Sequence, residues 1–299
     1  MSEILGKFGM GWLPDYPDFR DHTIDHDKVP ERLLNLGQKV SIKKMLTKVG
    51  VENPARAGIS SSVNLQEWFS PVEEQGSLGS CTANAGVALV EYFERRAYQK
   101  HIDASRLFLY KATRNLMHET GDNGAFLRST MGALVLFGIP PEEYWPYTIA
   151  DFDKEPTAFC YAFAQNYQSM TYYRLDPPGT IKSDLLNQIK TNLTGGLPSM
   201  FGFTVYSSIE QAATSGKIPY PANGEKILGG HAIVAAGYDD KMKIKNAKPG
   251  ALLIRNSWGK GWGDEGYGWL PYDYVLKGLA VDWWSLLKNE WIDTGNFKV

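Results

Sequence analysis

Apolar positions change their period about two-thirds of the way along the chain. From residue 81 to about residue 193 they recur at steps of three and four, the spacing of one face of an α-helix. This pattern predicts helices over residues 81–99, 105–118, 126–137 and 181–193. Further along, short apolar runs alternate with Gly- and Asp-rich turns, which predicts strands over 199–206, 231–238, 251–256 and 266–270. Helices followed by strands indicate an α+β protein with two subdomains.

The first 60 residues differ from the rest of the chain. Residues 11–21 are rich in proline and aromatic side chains, which favours extended or turn backbone, and a short basic helix is expected over 40–49. We therefore predict an N-terminal extension over residues 1–60, a helical subdomain over 61–175 and a strand-rich subdomain over 176–299. The tail at 275–291 is interpreted as structural cover over the strand-rich half.

Composition and charge limit the kinds of molecule that this chain is expected to bind. The chain has 299 residues and a formal net charge of −2, whereas nucleic acids and anionic membranes select basic surfaces. The longest apolar run, residues 132–139, is too short to cross a bilayer, and the N-terminus lacks the apolar core of a secretory signal. Two cysteines cannot build a disulfide framework. We expect a monomer in a reducing cytoplasm, with export lacking an ordinary signal left open.

Three separated residues offer nucleophilic chemistry. Cys81 stands where a predicted helix begins, and the positive end of a helix dipole favours a thiolate, although a lone cysteine is as often a buried, inert thiol. His231 opens an apolar strand after two glycines, where the imidazole can remain accessible. Asn256 ends another apolar strand, where its side chain could orient that imidazole. Trp258 and Trp262 follow closely and could exclude water from such a hydrogen bond.

Read together, these motifs resemble the papain-like cysteine peptidases. The resemblance rests on PVEEQGSLGSC at 71–81, on GHA around His231 and on NSWGKGWGDEGY at 256–267, and it covers about residues 62–272. The histidine lies 150 residues after the cysteine and the asparagine 175 residues after it. That spacing fits the family for the histidine, and the asparagine lies somewhat later. The order of three motifs makes a chance match improbable.

The resemblance implies a two-subdomain fold with the active site in the cleft between a helical half and an antiparallel, barrel-like half. Cys81 would be the thiolate nucleophile, His231 its partner and later the acid that protonates the leaving amine, and Asn256 the group that orients His231. Gln75 would donate its side-chain amide to the oxyanion. Fixed donors at that oxygen contribute about 3–4 kcal/mol each. The expected function is endopeptidase hydrolysis through an acyl-enzyme, with peptides or proteins as substrates and no cofactor.

Substrate contacts follow from the same resemblance. Gly124 matches the glycine whose backbone pairs with an extended substrate. Four further residues fall near the main specificity pocket: Phe126, Leu127, Gly202 and Ala232. All four are apolar or small, so we expect a hydrophobic substrate side chain one residue before the cleaved position. For Leu127 an ordinary place in the helix core is at least as plausible.

The chain departs from the family pattern in two places. Thr82 stands where family members usually have an aromatic residue after the nucleophile, so the preference for cleavage sites is open. Family members also usually bridge the positions held here by Leu78 and Asp122 with a disulfide, and both cysteines are missing together. A joint absence fits folding in a reducing compartment.

Several alternatives remain at this stage. The same residues could serve acyl transfer, as in a ligase or deamidase, or the chain could be an inactive peptide-binding homologue. Residues 12–19 could occupy the cleft and inhibit the enzyme, or they could pack against the back of a subdomain. His22 and His26 could ligate a metal if they were helical, but an exposed loop fits the nearby prolines better, so no metal site is predicted. Cys160 lies in an apolar context and is interpreted as a buried, inert thiol.

Overall fold

The structure is a computed structural model, and it describes residues 7–35, 37–51, 59–168 and 170–297. The helices of these residues are α1 Glu31–Asn35, α2 Ile42–Lys48, α3 Cys81–Tyr98, α4 Arg106–Leu116, α5 Leu127–Phe137, α6 Ala158–Ala164, α7 Lys182–Thr194, α8 Ala212–Ser215, α9 Tyr272–Leu276 and α10 Asn289–Asp293. The strands are β1 Trp12–Leu13, β2 Ser62–Asn64, β3 Ala125–Phe126, β4 Thr171–Arg174, β5 Ser199–Tyr206, β6 Ile227–Asp239, β7 Ala251–Arg255, β8 Tyr267–Pro271 and β9 Ala280–Leu287. None of these helices is both long enough and apolar enough to span a membrane.

Helix α3 is the centre of the helical half. Its polar face is narrow, and most of its residues are buried, which is the pattern of a helix enclosed by a core on nearly all sides. It packs against α4, α5 and β6. Gln99 ends it in a left-handed conformation with φ 58°, and its backbone N–H donates to Arg95. The first residue of this rigid helix is Cys81, which therefore has a well-defined position.

The strand-rich half is one antiparallel sheet in the order β4-β9-β5-β6-β7-β8, with β2 also pairing with β6. The long strand β6 is bonded to β5 in the register Phe203↔His231 and to β7 in the register Val234↔Arg255. These two pairings bring the end of β7 beside the middle of β6. The predicted α+β fold with helical and strand-rich halves is confirmed.

Two parts of the sequence prediction need correction or comment. The tail at 275–291 is not a cover, because β9 lies inside the sheet, hydrogen-bonded to β4 on one side and to β5 on the other. Its two buried indole rings, Trp283 and Trp284, suit an interior strand as well as a cover, and the apolar pattern alone did not distinguish the two. Strand β4 precedes the proposed domain boundary at residue 176, yet it pairs with β9. The boundaries themselves stay a prediction.

The extension wraps over both halves. Strand β1 pairs in parallel with β3 of the helical half, and the N–H of Arg174 on β4 donates to the carbonyl of His22. Arg128 on α5 forms ion pairs with Asp15 and with Asp21, which fixes the stretch between them. The predicted basic helix is present as α2.

Candidate active site

Cys81 lies at the start of α3 and has no solvent exposure. Its sulfur accepts a hydrogen bond from the backbone N–H of Ala232 at 3.4 Å. The loop before it is held by Asn84, whose side-chain amide donates to the carbonyl of Ser80 at 3.0 Å. The helix dipole and the fixed loop place the thiol beside the strand that carries His231.

His231 and Asn256 are brought together by the sheet. The imidazole Nε2 lies 2.8 Å from the side-chain oxygen of Asn256, and Nδ1 has no hydrogen-bond partner among the described residues. The Trp258 ring stacks on the imidazole with centroids 4.6 Å apart, and Trp262 packs edge-on against Trp258 at 5.7 Å. This arrangement fixes the ring through Nε2, excludes water from that bond and leaves Nδ1 free for proton transfer.

Gln75 is held so that its amide N–H points into the cleft. Ser257 donates its hydroxyl to the side-chain oxygen of Gln75 at 2.5 Å, and the backbone N–H of Gln75 donates to the Ser257 carbonyl at 2.8 Å. The backbone N–H of Ser257 also donates to Asn256 at 2.8 Å. Tyr147 donates to the carbonyl of Gln75 at 2.9 Å. Sequence reasoning missed Ser257 and Tyr147; the adjacency of Ser257 to Asn256 was the only available signal.

Residues 8–13 of the same chain, here called the cleft segment, occupy the space above these groups. Gln75 Nε2 donates to the carbonyl of Gly9 at 2.9 Å, and the Ala125 N–H donates to the carbonyl of Gly11 at 2.8 Å. Phe8 stacks on Trp258 with centroids 5.0 Å apart. A side chain has no room at either glycine, because a Cβ at Gly11 would lie 1.8 Å from the Gly79 carbonyl oxygen and one at Gly9 would lie 2.1 Å from that of Leu78. The segment thus crosses the cleft on both sides of Cys81.

Burial shifts the pKa values of both reacting groups. Desolvation raises the pKa of the Cys81 thiol to about 11, and backbone hydrogen bonds from Ala232 and Gly11 oppose this only in part. Desolvation also lowers the pKa of His231 to about 4, and the hydrogen bond that its ring donates to Asn256 opposes this only in part. In this closed form burial therefore favours the neutral thiol and the neutral imidazole over the ion pair.

The residues expected to contact substrate lie in different environments. Gly202 faces the Trp12 ring, which leaves no room there for a Cβ, and Ala232 is its partner across the β5–β6 pair. Phe126 is half-buried and is in register with residue 13 of the cleft segment. Leu127 is fully buried in the core as the first residue of α5. The backbone N–H of Ala125, next to Gly124, donates to the Gly11 carbonyl, and the missing side chain of Gly124 gives space for that carbonyl. The pairing of Gly124 with a substrate stays a prediction.

Asp122 occupies the place of one missing cysteine and makes a different cross-link. Its carboxylate accepts from the Gly79 N–H at 2.9 Å and from the Tyr110 hydroxyl at 2.6 Å. Leu78, at the other position, is buried. A charge-assisted hydrogen bond therefore ties the loop before the nucleophile to the loop at 121–124, where family members use a covalent bridge.

No group of described residues forms a convincing metal site. Carboxylate oxygens of Glu73, Asp103 and Glu142 lie within 4.8 Å of one another, but Arg106 forms ion pairs with two of these residues and supplies the compensating cation. His22 and His26 lie in a loop as predicted, but they are half-buried and stacked with centroids 4.2 Å apart.

Cys160 is buried and free. Its sulfur lies 3.3 Å from the hydroxyl of Thr157, within helix α6 and its N-cap. The interpretation of Cys160 as a buried thiol away from the active-site pair agrees with this placement.

Comparison with known proteins identifies the family. The model of the papain family of cysteine proteases matches residues 59–276, which is more than half of the chain. The chain belongs to this family. A peptidase C1-like protein of Acanthamoeba polyphaga mimivirus is 31% identical over 95% of this chain and 88% of its own length. Papain from Carica papaya is 26% identical over 66% of this chain, which spans 50% of papain's full length.

Solved structures agree with the family assignment. Xylellain, a cysteine protease from Xylella fastidiosa, superposes with a TM-score of 0.72 at 30% identity, covering 94% of this chain and 97% of its own. A digestive procathepsin L 3 from Tenebrio molitor has a TM-score of 0.59 at 19% identity, covering 81% of this chain and 77% of its own, which supports the fold alone. This papain-family member is accordingly a cysteine peptidase, a hydrolase acting on peptide bonds.

Proposed function

We propose that this protein is a latent cysteine endopeptidase whose own cleft segment keeps it inactive. The observation that carries the proposal is the convergence of Cys81 with the bonded pair His231–Asn256, beneath a chain segment held by Gln75. An inactive peptide-binding protein needs none of these four groups in this geometry.

The chemistry follows from the positions of the atoms. In the open form the thiol proton moves to Nδ1 of His231, and the sulfur attacks the substrate carbonyl carbon. The C=O π bond breaks as the S–C bond forms, and the Gln75 N–H donates to the resulting oxyanion. His231 then protonates the amine as the C–N bond breaks, which leaves a thioester on Cys81. Water attacks that thioester, with His231 taking its proton, and releases the acid and the free thiol.

The length of the cleft supports internal cleavage. The cleft segment contacts Trp258 at one end and Ala125 beyond the nucleophile at the other, so chain extends in both directions past Cys81. An extended substrate can occupy the same path, with its backbone paired to the edge at 124–126 and its side chains reaching the pockets. The apolar surroundings of Gly202 and Phe126 favour a hydrophobic side chain one residue before the cleaved position.

The cleft segment is arranged to resist cleavage. Gln75 holds the carbonyl of Gly9, whereas a backbone hydrogen bond from Gly11 faces the Cys81 sulfur. The Cys81 sulfur therefore accepts hydrogen bonds from backbone N–H groups on both sides, from Ala232 and from Gly11. The neutral thiol further lowers the reactivity of the closed form, because the thiolate is the attacking species.

The test compares the full chain with a form that lacks residues 1–13, which keeps Asp21 as an anchor of the remaining extension. We expect the shortened form to react faster with an epoxysuccinyl peptide and to cleave a peptide library internally, and the Cys81→Ala version of each form to do neither. If both forms label with equal rates, the inhibitory role is wrong. If the shortened form labels but transfers acyl groups to added amines without hydrolysing peptides, the acyl-transfer alternative replaces the endopeptidase.

A further inference from the structure

The hydroxyl of Tyr147 contacts two separate segments, and each of them carries a donor for the oxyanion. It donates to the backbone carbonyl of Gln75 at 2.9 Å and lies 2.6 Å from Oγ of Ser80. Because the Tyr147 proton is used on Gln75, Ser80 is the donor in the second bond. Ser80 directly precedes Cys81, whose backbone N–H is the first of α3 and has no acceptor within the helix. One hydroxyl therefore joins the segment of the Gln75 amide to the segment of the Cys81 N–H.

The hydrogen-bond series continues from Ser80 into helix α3. Asn84 donates its side-chain amide to Oγ of Ser80 at 3.1 Å. Each hydroxyl in the series thus accepts one bond and donates the next, and the series ends at the Gln75 carbonyl. Serine is a preferred N-cap residue, yet the side chain of Ser80 makes no capping bond to the backbone of α3. This fully buried hydroxyl is bonded to Tyr147 instead.

The ring of Tyr147 is held in place by Arg106. The guanidinium lies 4.1 Å from the ring centroid and forms ion pairs with Glu73 at 3.0 Å and with Glu142 at 2.8 Å. Glu73 is two residues before Gln75, so the guanidinium ties the ring to the same segment that the hydroxyl bonds. Burial raises the pKa of Tyr147, which keeps the hydroxyl protonated and able to donate at neutral pH.

The spacing of the two donors matters because both act on one oxygen atom. A donor of this kind is effective when it lies about 2.7–3.1 Å from the charged oxygen. The side chain of Gln75 is oriented by Ser257 and also donates to the carbonyl of Leu78 at 2.9 Å. Its backbone carbonyl, by contrast, is held by Tyr147. Loss of the Tyr147 bond therefore keeps the orientation of the amide but releases the peptide group from which it extends.

We propose that Tyr147 is a positioning residue that sets the distance between the two oxyanion donors, the Gln75 amide and the backbone N–H of Cys81. This inference rests on the proposed endopeptidase function and adds a residue to its reaction. Tyr147 acts through its two hydrogen-bond partners, so its loss affects the steps that form an oxyanion. Alkylation of the thiol forms no oxyanion and is not affected in this way.

The first experiment compares Tyr147→Phe with the unaltered full chain in two reactions of Cys81, with Cys81→Ala as the blank. Acylation by a p-nitrophenyl ester passes through a tetrahedral oxyanion, whereas alkylation by iodoacetamide displaces iodide from a saturated carbon. Both reactions need the open cleft and the thiolate, so a change in either cancels in the ratio of acylation to alkylation rates. We expect this ratio to fall about three- to tenfold, the size of one hydrogen bond. An unchanged ratio would overturn the proposal.

The matched control is Tyr92→Phe. The Tyr92 hydroxyl also donates to a backbone carbonyl at 2.9 Å, that of Gly196, and Tyr92 lies about 16 Å further along α3 than Cys81. This variant loses the same kind of bond away from the oxyanion donors and should keep the ratio. Ser80→Ala interrupts the series one bond earlier and should lower the ratio about as much as Tyr147→Phe. An equal fall in Tyr92→Phe, or no fall in Ser80→Ala, would contradict the inference.

A second measurement distinguishes positioning from general loosening of the site. In Gln75→Ala only one donor remains and there is no spacing to set, so adding Tyr147→Phe should change the ratio less than about twofold. A full further loss in that background would mean that Tyr147 does not act through the spacing of the donors.

Peptide hydrolysis, measured in the same variants, tests the proposed function separately. If the ester acylates Cys81 but no peptide is cleaved, the endopeptidase proposal fails, and the ratio of acylation to alkylation alone decides the role of Tyr147. If Cys81 is alkylated but not acylated by the ester, the site stabilises no oxyanion and the inference is overturned.

Discussion

A single methyl group at Gly11 should open the active site. Gly11 lies against the loop that carries the nucleophile, and a Cβ there would be 1.8 Å from the Gly79 carbonyl oxygen and 2.4 Å from its carbon. Both are backbone atoms, and the Gly79 N–H is itself bonded to Asp122 at 2.9 Å. The loop is therefore held in place, and in Gly11→Ala the cleft segment is the part that must move.

The size of the effect follows from the clash. Atoms this close must separate by about 1 Å or more, and overpacking of this kind costs about 1–3 kcal/mol. If that cost falls on the closed form alone, the open fraction rises about 5- to 150-fold. The chemistry adds to this, because a thiol with a pKa of about 11 is ionised to only about 1 part in 10,000 at pH 7. Solvent entering the open cleft removes the desolvation that causes that pKa.

The assay is the second-order rate of Cys81 alkylation in the full chain at pH 7, with Cys81→Ala to correct for labelling of Cys160. We expect an increase of at least about fivefold in Gly11→Ala. Gly132→Ala is the matched control, because its added methyl group on α5 meets no atom closer than 4.0 Å. An unchanged rate in Gly11→Ala, or an equal rise in the control, would refute the view that the cleft segment gates access to Cys81.

Three further predictions address individual groups. Gln75→Ala should lower kcat about 10²-fold or more while Cys81 in the opened form still alkylates, since the amide acts on the oxyanion and not on the thiol; loss of both would contradict that role. Asp122→Ala should lower the unfolding free energy by about 1.5–3 kcal/mol in chemical denaturation, because Gly79 and Tyr110 lose a charged acceptor, and no change would mean that the carboxylate does not replace the missing bridge. The buried His231 has a pKa of about 4, below its unfolded value of 6.5, so the folded chain binds fewer protons between these values and its stability should decrease as the pH falls from 6.5 to 4. Denaturation midpoints across that range should show a steeper decrease in the native chain than in His231→Gln, and parallel curves would disprove the assignment.

Local pattern was sufficient for much of the fold. Apolar residues at steps of three and four after Cys81 predicted a helix over 81–99, and α3 ends one residue earlier, at Tyr98. The prediction succeeded because this helix is long and continuous, so its apolar pattern extends over several turns. Strand β5 was predicted with both ends correct. The place of β9 in the sheet was not predicted, because an apolar run with two buried indole rings has the same pattern in an interior strand as in a covering segment. Only the hydrogen-bonded pairing of β9 with β4 and β5 distinguishes an interior strand from a covering segment.

What the sequence determined by itself is the set of reactive residue types and their order: a cysteine at a helix start, then a histidine and an asparagine at strand positions, with Gln75 just upstream. Those choices are local, since each depends on a short motif and its backbone period. The tertiary structure alone decided how the extension is used. Whether residues 8–13 lie in the cleft depends on distant partners, namely two glycines on neighbouring strands and a carboxylate on β9 that bonds the Trp12 indole. No local period encodes a contact across 270 residues.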